Sequence, residues 1–498
     1  MNIAMLLQMA AEACPDRRAL TSAGRHYCYA ELYAAARNAA ALIRAQGCAF
    51  AAVLDTSSPA VPVTLMGAAM AGVPYVPLNY RLSDAQLEAL LERVTPALLV
   101  TADDIAERHA DRAGMTFYPR ADYLARVFSA TPTEDEDWPA DPSAVAVQLF
   151  TSGTTGAPKA AILRHEHLVS YILGTTDFMA AEEDEATLVS VPPYHIAGIS
   201  AVMSSLYTCR RIVQLPEFGA AAWLELAEHE SVTNAFVVPT MLSRIVDHLE
   251  TVHRRPHLPN LKAIAYGGGK MPLPVIERSL TLFPGVDFTN AYGLTETSST
   301  ITLLTPDDHR AAIAAGDPQI RRRLGSVGQA LSSVEIEIRD EAGNMLGPDE
   351  PGEIFVRGPQ VSGEYLERKA TDDEGWFPTR DAGFLDADGY LFLSGRADDV
   401  IVRGGENISP GEIEDVLLAH EAVADAAAVA IPSTEWGETV GAVIVLKPGK
   451  EATVRELQHL VKSRLRSSRV PEVIRFEPEL PYNETGKLLR RLIKDFFV

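Results

Sequence analysis

The stretch LFTSGTTGAPK, residues 149–159, decides the fold. It follows a run of apolar residues, AVAVQLF (144–150), that reads as a buried strand. The strand ends in a loop of three threonines, one serine and two glycines, closed by Lys159. Glycines let backbone N–H groups approach an anion closely, hydroxyls add donors, and the lysine adds a mobile positive charge. Together these suit a polyphosphate. The common P-loop ends in Gly-Lys-Ser/Thr, whereas here Pro158 precedes Lys159 and Ala160 follows it. Taken alone, the string also reads as an ordinary flexible Ser/Gly loop.

Toward the N-terminus, helical and strand patterns alternate. ELYAAARNAAALIRAQ (31–46) and DAQLEALLERV (84–94) carry helical periodicity, AAVLD (51–55) reads as a strand, and ALLVTADD (97–104) as a buried strand meeting a turn. Such alternation predicts a parallel α/β architecture. VTLMGAAMAGVPYVPL (63–78) is short and broken by Gly and Pro, so it predicts a buried helix and strand and no membrane span. The acidic TEDEDW (133–138) reads as a solvated linker. A second α/β block follows from about 144 to 330, and VEIEIRD and GEIFVRG predict a β-rich subdomain near 330–395. The last hundred or so residues mix both patterns in EIEDVLLAH, AVADAAAVAI, AVIVLK and VRELQHLVKSRL. Charge and glycine interrupt the apolar pattern at GRADDVIVRGG (395–405). The expected fold class is α/β: a large N-terminal α/β domain with a β-rich subdomain over 1–397, and a small mobile C-terminal α+β domain over 398–498.

A chain of 498 residues is too long for one hydrophobic core, and 47% hydrophobic with 22% charged residues is the balance of a globular protein. A formal net charge of -23 repels nucleic-acid phosphates and anionic membranes. An anionic substrate would need local cations and N–H groups. Cys14, Cys28, Cys48 and Cys209 match neither a metal-ligand spacing nor a disulfide framework. With no basic leader before an apolar run in MNIAMLLQMAAEAC, they read as reduced thiols of a cytoplasmic protein.

A second candidate motif is NAYGLTETSS (290–299), which sets an aromatic, a glycine, a hydroxyl and a carboxylate side by side. Tyr292 could lie against a base, Thr295 hold a phosphate and Glu296 hold Mg²⁺, which takes oxygen ligands and bridges phosphates. Alone it also reads as a turn with a helix cap. With TSGTTGAPK, GWFPTRD, GRADDVIVRGGENISPGEIE and PYNETGK, it appears in an order and spacing that resemble the adenylate-forming enzymes: acyl- and aryl-CoA synthetases, luciferases and peptide-synthetase adenylation domains. The resemblance covers essentially the whole chain.

It implies a nucleotide site made of Thr151, Ser152, Gly153, Thr154, Thr155, Gly156 and Lys159 around the phosphates. Gly267, Gly268 and Gly269 would border adenine and the acyl pocket, with Asn290, Ala291, Tyr292, Gly293 and Thr295 beside them. Asp381 would hold the ribose hydroxyls, Arg396 would reach the nucleotide, and Glu296 would assist Mg²⁺. Lys487 would stabilise the charge that builds on the α-phosphate as a carboxylate attacks it; by sequence alone it is a basic residue after a Gly turn. His195 in PPYHIAG would gate the carboxylate between the two sites, since an ionised acid needs no base. Asp398 matches the hinge of the small domain. Gly404 and Gly405 match the segment that lines a channel for coenzyme A, and Trp436 reads equally as a flank of that channel or as a core tryptophan.

The implied reaction is ATP-dependent activation of a carboxylic acid as an acyl-adenylate, then transfer to the thiol of coenzyme A. A separate acyl carrier protein is the alternative acceptor, and a silent nucleotide-binding protein the alternative of another class. The apolar NAFVVPTML (234–242) and HIAGISAVM (195–203) predict a nonpolar acid, fatty or aromatic, and not an amino acid. Two further features depart from the family: Arg380 stands where Thr-Gly-Asp is usual, and Lys270 where small residues are common.

Overall fold

The predicted helices and strands form, most with ends shifted by one or two residues; the strand read at 442–447 begins five residues earlier, at Gly437. In the computed structural model the described residues are 1–498 apart from 110, 132–136, 152–157, 254–255, 397–398, 404–405, 483–487 and 498. A nine-stranded sheet has six parallel strands at its centre: Arg18–Ser22, Arg211–Gln214, Ala186–Val189, Asn234–Val237, Ala263–Gly267 and Asp287–Leu294. Antiparallel strands close both edges. An eight-stranded sheet is parallel through Val145–Thr151, Tyr75–Pro77, Phe50–Leu54, Ala97–Thr101 and Met115–Pro119. Its other side is the hairpin Val145–Thr151/Lys159–Arg164, extended by Glu364–Tyr365.

One apolar core joins both sheets. It runs from helix Ala4–Ala13 through helices Tyr29–Ala45 and Ala60–Ala71 to Ile196–Tyr207. Gly67 makes this core possible, because a Cβ there would lie 2.7 Å from the Ala39 methyl. Helix Ala60–Ala71 is buried along almost its whole length, which explains its unbroken apolar sequence. No helix among the described residues is long and apolar enough to cross a membrane.

The β-rich subdomain is a four-stranded antiparallel sheet of Glu335–Arg339, Gly352–Arg357, Phe377–Leu385 and Leu391–Arg396. Beyond it, a separate sheet of Ile401–Arg403, Glu406–Ile408, Gly437–Leu446, Val423–Ser433 and Val473–Phe476 carries helices Pro410–Leu418 and Val454–Arg464. A large N-terminal and a small C-terminal domain result, as the patterns predict. One reading is corrected at its edge. Trp138, at the end of the acidic segment, is packed against the core and meets Tyr33 edge-on at 6.4 Å, so that end is anchored and not solvated.

Candidate active site

The C-terminal ends of the parallel strands of the nine-stranded sheet carry most of the expected residues that are described. In open α/β sheets this is the edge where ligands bind. Strand Ala186–Val189 leads to His195, which caps helix Ile196–Tyr207. Strand Ala263–Gly267 runs into Gly268 and Gly269, and strand Asp287–Leu294 contains Asn290 to Gly293. A Cβ on Gly267 would stand 2.1 Å from the Ala291 carbonyl oxygen, and one on Gly293 1.8 Å from that of Ser299. Neither position can bear a side chain while the strands hold this register. Asn290 is buried and donates to the Ser326 carbonyl (3.1 Å), which braces the strand.

Thr295 and Glu296 lie in the single 3₁₀ turn Thr295–Thr297. The Glu296 side chain is buried, and its backbone carbonyl accepts the Ser362 and Gly363 N–H groups (2.9 and 3.1 Å). Tyr365 donates its hydroxyl to Glu296 Oε1 at 2.5 Å. Burial and the Glu296 charge both push the Tyr365 phenol well above its ordinary value, so it stays a donor. The same ring lies 5.8 Å from Lys159 Nζ and 5.9 Å from the Arg368 guanidinium, within reach of cation–π attraction. Tyr365 thus ties the carboxylate turn to the hairpin that carries Lys159. Thr151 and Lys159 face each other across that hairpin, as the two ends of the stretch 151–159. Beside them lies a groove of about 420 Å³ bordered by Arg93, Pro158, Lys159, Tyr365, Glu367 and Arg368.

Asp381 faces the site from strand Phe377–Leu385. Oδ2 accepts the Tyr292 hydroxyl (2.7 Å) and Oδ1 lies 3.1 Å from Arg396 Nη1. Arg396 also donates to the Thr379 carbonyl (3.1 Å), and the Asp381 N–H donates to Thr379 Oγ1 (3.1 Å). A carboxylate offers about four lone-pair sites, so two donors still leave room for a pair of hydroxyls. Tyr292 is buried, and its phenol is pushed far up, first by burial and then by Asp381. Its hydroxyl is spent on Asp381, so only its ring is left to meet a base.

His195 Nε2 is buried without a hydrogen-bond partner among the described residues, and its ring is 4.4 Å from that of Tyr194. Burial, and secondarily Arg81, push the imidazole down to about 4. It is therefore neutral at physiological pH, which fits a gating residue better than a cation. Arg380 points outward: its side chain is 64% exposed and 3.8 Å from Glu353. Its φ of 62° lies in the left-handed region. This explains the glycine usual in the motif as a backbone requirement, one that Arg380 meets with strain.

Trp436 is 43% exposed at the turn between Val423–Ser433 and Gly437–Leu446, with Arg403 stacked 5.7 Å from its ring. The core reading is thereby overturned. Ser152, Gly153, Thr154, Thr155, Gly156, Asp398, Gly404, Gly405 and Lys487 lie outside the described residues. No group of three or more metal-binding side chains occurs among the described residues. Glu296, a buried carboxylate tied through Tyr365 to the hairpin that carries Lys159, fits Mg²⁺ held by one carboxylate and by substrate phosphates. Sequence reasoning missed Tyr365 and Arg93. Nothing local marks them, because each reaches the site through strand pairing or from another domain layer.

With this geometry the comparisons agree: the chain belongs to the AMP-binding enzymes. The family model for AMP-binding enzymes matches residues 7–366, and the model for their C-terminal domain matches residues 412–487. A 2–succinylbenzoate–CoA ligase of Bacillus licheniformis is 32% identical over 97% of this chain and 98% of its own. The enzyme of that name from Bacillus subtilis is 31% identical over 98% and 97%. The structure of the Bacillus subtilis o-succinylbenzoate CoA synthetase with its acyl-adenylate intermediate superposes with a TM-score of 0.84 at 30% identity, covering 98% of each chain. The amide bond synthetase of Marinactinospora thermotolerans superposes at 0.87 with 25% identity over 99% of both.

Proposed function

We infer that this chain is an AMP-forming acid–CoA ligase acting on an aromatic acid of the 2-succinylbenzoate type. The observation that carries the reading is the joining, across three sheets, of a Tyr365-held Glu296, the Tyr292–Asp381–Arg396 cluster and the Lys159 hairpin. The likeness to acid–CoA ligases over nearly the whole chain supports it. The relatives named above favour the aromatic half of the sequence expectation over the fatty half. The acceptor of the two 2-succinylbenzoate–CoA ligases and of the o-succinylbenzoate CoA synthetase is coenzyme A, which leaves the carrier-protein alternative without support. The four cysteines are free thiols, which supports the reducing, cytoplasmic setting.

In this reading Asp381 takes the ribose hydroxyls while Tyr292 and Arg396 hold its carboxylate still. Lys159 and the loop 151–156 hold the β- and γ-phosphates. Glu296 would hold Mg²⁺, which would supply neutralising charge for the leaving pyrophosphate. Lys487 supplies the positive charge beside the α-phosphate, and loss of such a contact costs roughly 10²–10³ in rate. Neutral His195 stands between the two halves of the site. Asp398 serves as hinge, with the domain boundary at 397/398, and Gly404, Gly405 and Trp436 border the path of the CoA thiol.

The test is AMP formation from ATP and Mg²⁺ across 2-succinylbenzoate, benzoates and fatty acids, with and without CoA, and with Lys487→Ala as control. AMP and a CoA thioester together from 2-succinylbenzoate, lost in the control, are expected. Turnover of fatty acids alone would overturn the aromatic assignment. AMP without thioester, rescued by an amine or a carrier, would overturn the choice of acceptor.

A further inference from the structure

Lys270 departs from the small residues usual at its position, and in the folded chain it reaches the other domain. Its ammonium donates to the Gly411 carbonyl at 2.9 Å and to Asp415 Oδ2 at 2.8 Å. Both acceptors belong to helix Pro410–Leu418 and stand four residues apart, so they share one face. Gly411 is the notch that admits the lysine, since a Cβ there would lie 2.6 Å from Nζ. Next to Asp415, Glu414 is buried and accepts Arg490 Nη2 at 2.9 Å and the Ala428 N–H at 2.8 Å. Arg490 also donates to the Ala428 carbonyl (2.7 Å) and lies 3.6 Å from Asp399, one residue past the expected hinge. In the chain it follows Lys487 by three residues.

We propose that Lys270 is a positioning residue for adenylate formation. Docked on Gly411 and Asp415, it fixes helix Pro410–Leu418 against the large domain. Through Glu414 and Arg490 it bears on the terminal segment from Leu488 onward, which directly follows Lys487 in the sequence. The inference rests on the ligase reading above. The pair is half-exposed, with side chains 41% and 45% accessible, so its effect is modest and screened by salt. It bears on the first half-reaction alone, because transfer from a preformed adenylate does not use Lys487.

The experiment measures acid-dependent ATP–pyrophosphate exchange, thioester formation from supplied acyl-adenylate, and thermal unfolding in the full-length chain. The variants are Lys270→Met, Asp415→Asn, the double variant, Lys270→Arg and Gly411→Ala. Lys270→Met is expected to lower the kcat of exchange roughly three- to tenfold, with the KM for ATP and the thioester step unchanged. The double variant should lose no more than either single one, and Lys270→Arg should recover part of the rate. Gly411→Ala separates positioning from stability. Its methyl displaces the flexible end of a lysine at little steric cost and favours the helix, so exchange should fall while thermal stability holds or rises. Wild-type exchange with Lys270→Met equal to it would overturn the proposal, as would losses that track unfolding or fall on the thioester step. Absence of exchange in the wild type would instead overturn the ligase reading.

Discussion

Tyr365 holds the buried Glu296 carboxylate with a 2.5 Å hydrogen bond, and that contact helps join the carboxylate turn to the hairpin that carries Lys159. A hydrogen bond to a charged group is worth about 1.5–3 kcal/mol. Tyr365→Phe should therefore lower kcat/KM for MgATP roughly ten- to hundredfold, with a raised Mg²⁺ requirement that a titration of the metal would reveal. An unchanged Mg²⁺ dependence would remove Tyr365 from the site. His195 makes a second prediction. Its folded value of about 4 lies below the ~6.5 of an unfolded histidine. The unfolded chain thus takes up the proton first, and the contribution of this residue is full above ~6.5 and lost as pH falls toward 4. Buried His165, also pushed down to about 4, acts in the same direction. Denaturant unfolding at pH 7 and pH 5 should show a smaller loss for His195→Gln than for the wild type. A pH–rate limb near 6.5 that vanishes in this variant would contradict a neutral gate. Arg380 shows what the chain hides at this scale: its departure from the motif is plain in the letters, but only its φ of 62° tells that the usual glycine serves the backbone.

Among elements, the legible ones were those whose burial follows a simple period. Helix Tyr29–Ala45, strands Phe50–Leu54 and Ala97–Thr101, and the buried helix Ala60–Ala71 all lie where the apolar patterns put them. The nucleotide motifs were legible because they stand at strand ends, where glycine and hydroxyl residues interrupt apolar runs. The Tyr292–Asp381 and Glu296–Tyr365 contacts were not, since each joins segments more than sixty residues apart. Gly293 shows how tightly such a strand end is built. The pairing slips between Tyr292 and Gly293, and the chain returns through Ser298 and Ser299 at φ of 58° and 124° to press the Ser299 carbonyl on Gly293. Because the obstructing atom is backbone, Gly293→Ala cannot be relieved by a rotamer change. It should cost more than the ~1–3 kcal/mol typical of overpacking. The turn bearing Glu296 should lose its setting, and nucleotide binding with it. Gly285→Ala is the control. It has a positive φ, 85°, which Gly293 has not, but no atom within 4 Å of the added methyl, so only the ~1–2 kcal/mol backbone term applies. Equal losses in denaturant midpoint for the two variants would show that strand closure at Gly293 does not constrain the site.

At the scale of the molecule, the buried apolar clusters divide cleanly near residue 397. Those of the large domain use residues up to Leu393, and those of the small domain begin at Ile401. What crosses between them among the described residues is polar: Lys270 to Gly411 and Asp415, and the Ser409 hydroxyl to the Ser394 carbonyl at 2.7 Å. An interface without a shared core holds its partners by contacts that break at small cost, which suits two parts that change relative position. Charge and glycine interrupt the apolar pattern at GRADDVIVRGG, between these clusters, but no local pattern shows that Lys270 bridges them. Each part therefore has what it needs to fold alone. A fragment of residues 1–396 should unfold in one cooperative transition and retain ATP binding through Lys159, Glu296 and Asp381. Without Lys487 it should form adenylate at least ~10²-fold more slowly. Calorimetry and ATP titration of the fragment, set beside exchange assays of the full chain, check both halves of this expectation. A fragment that binds no ATP would mean that the small domain completes the nucleotide site itself. One that forms adenylate at the full rate would release Lys487 from its proposed role.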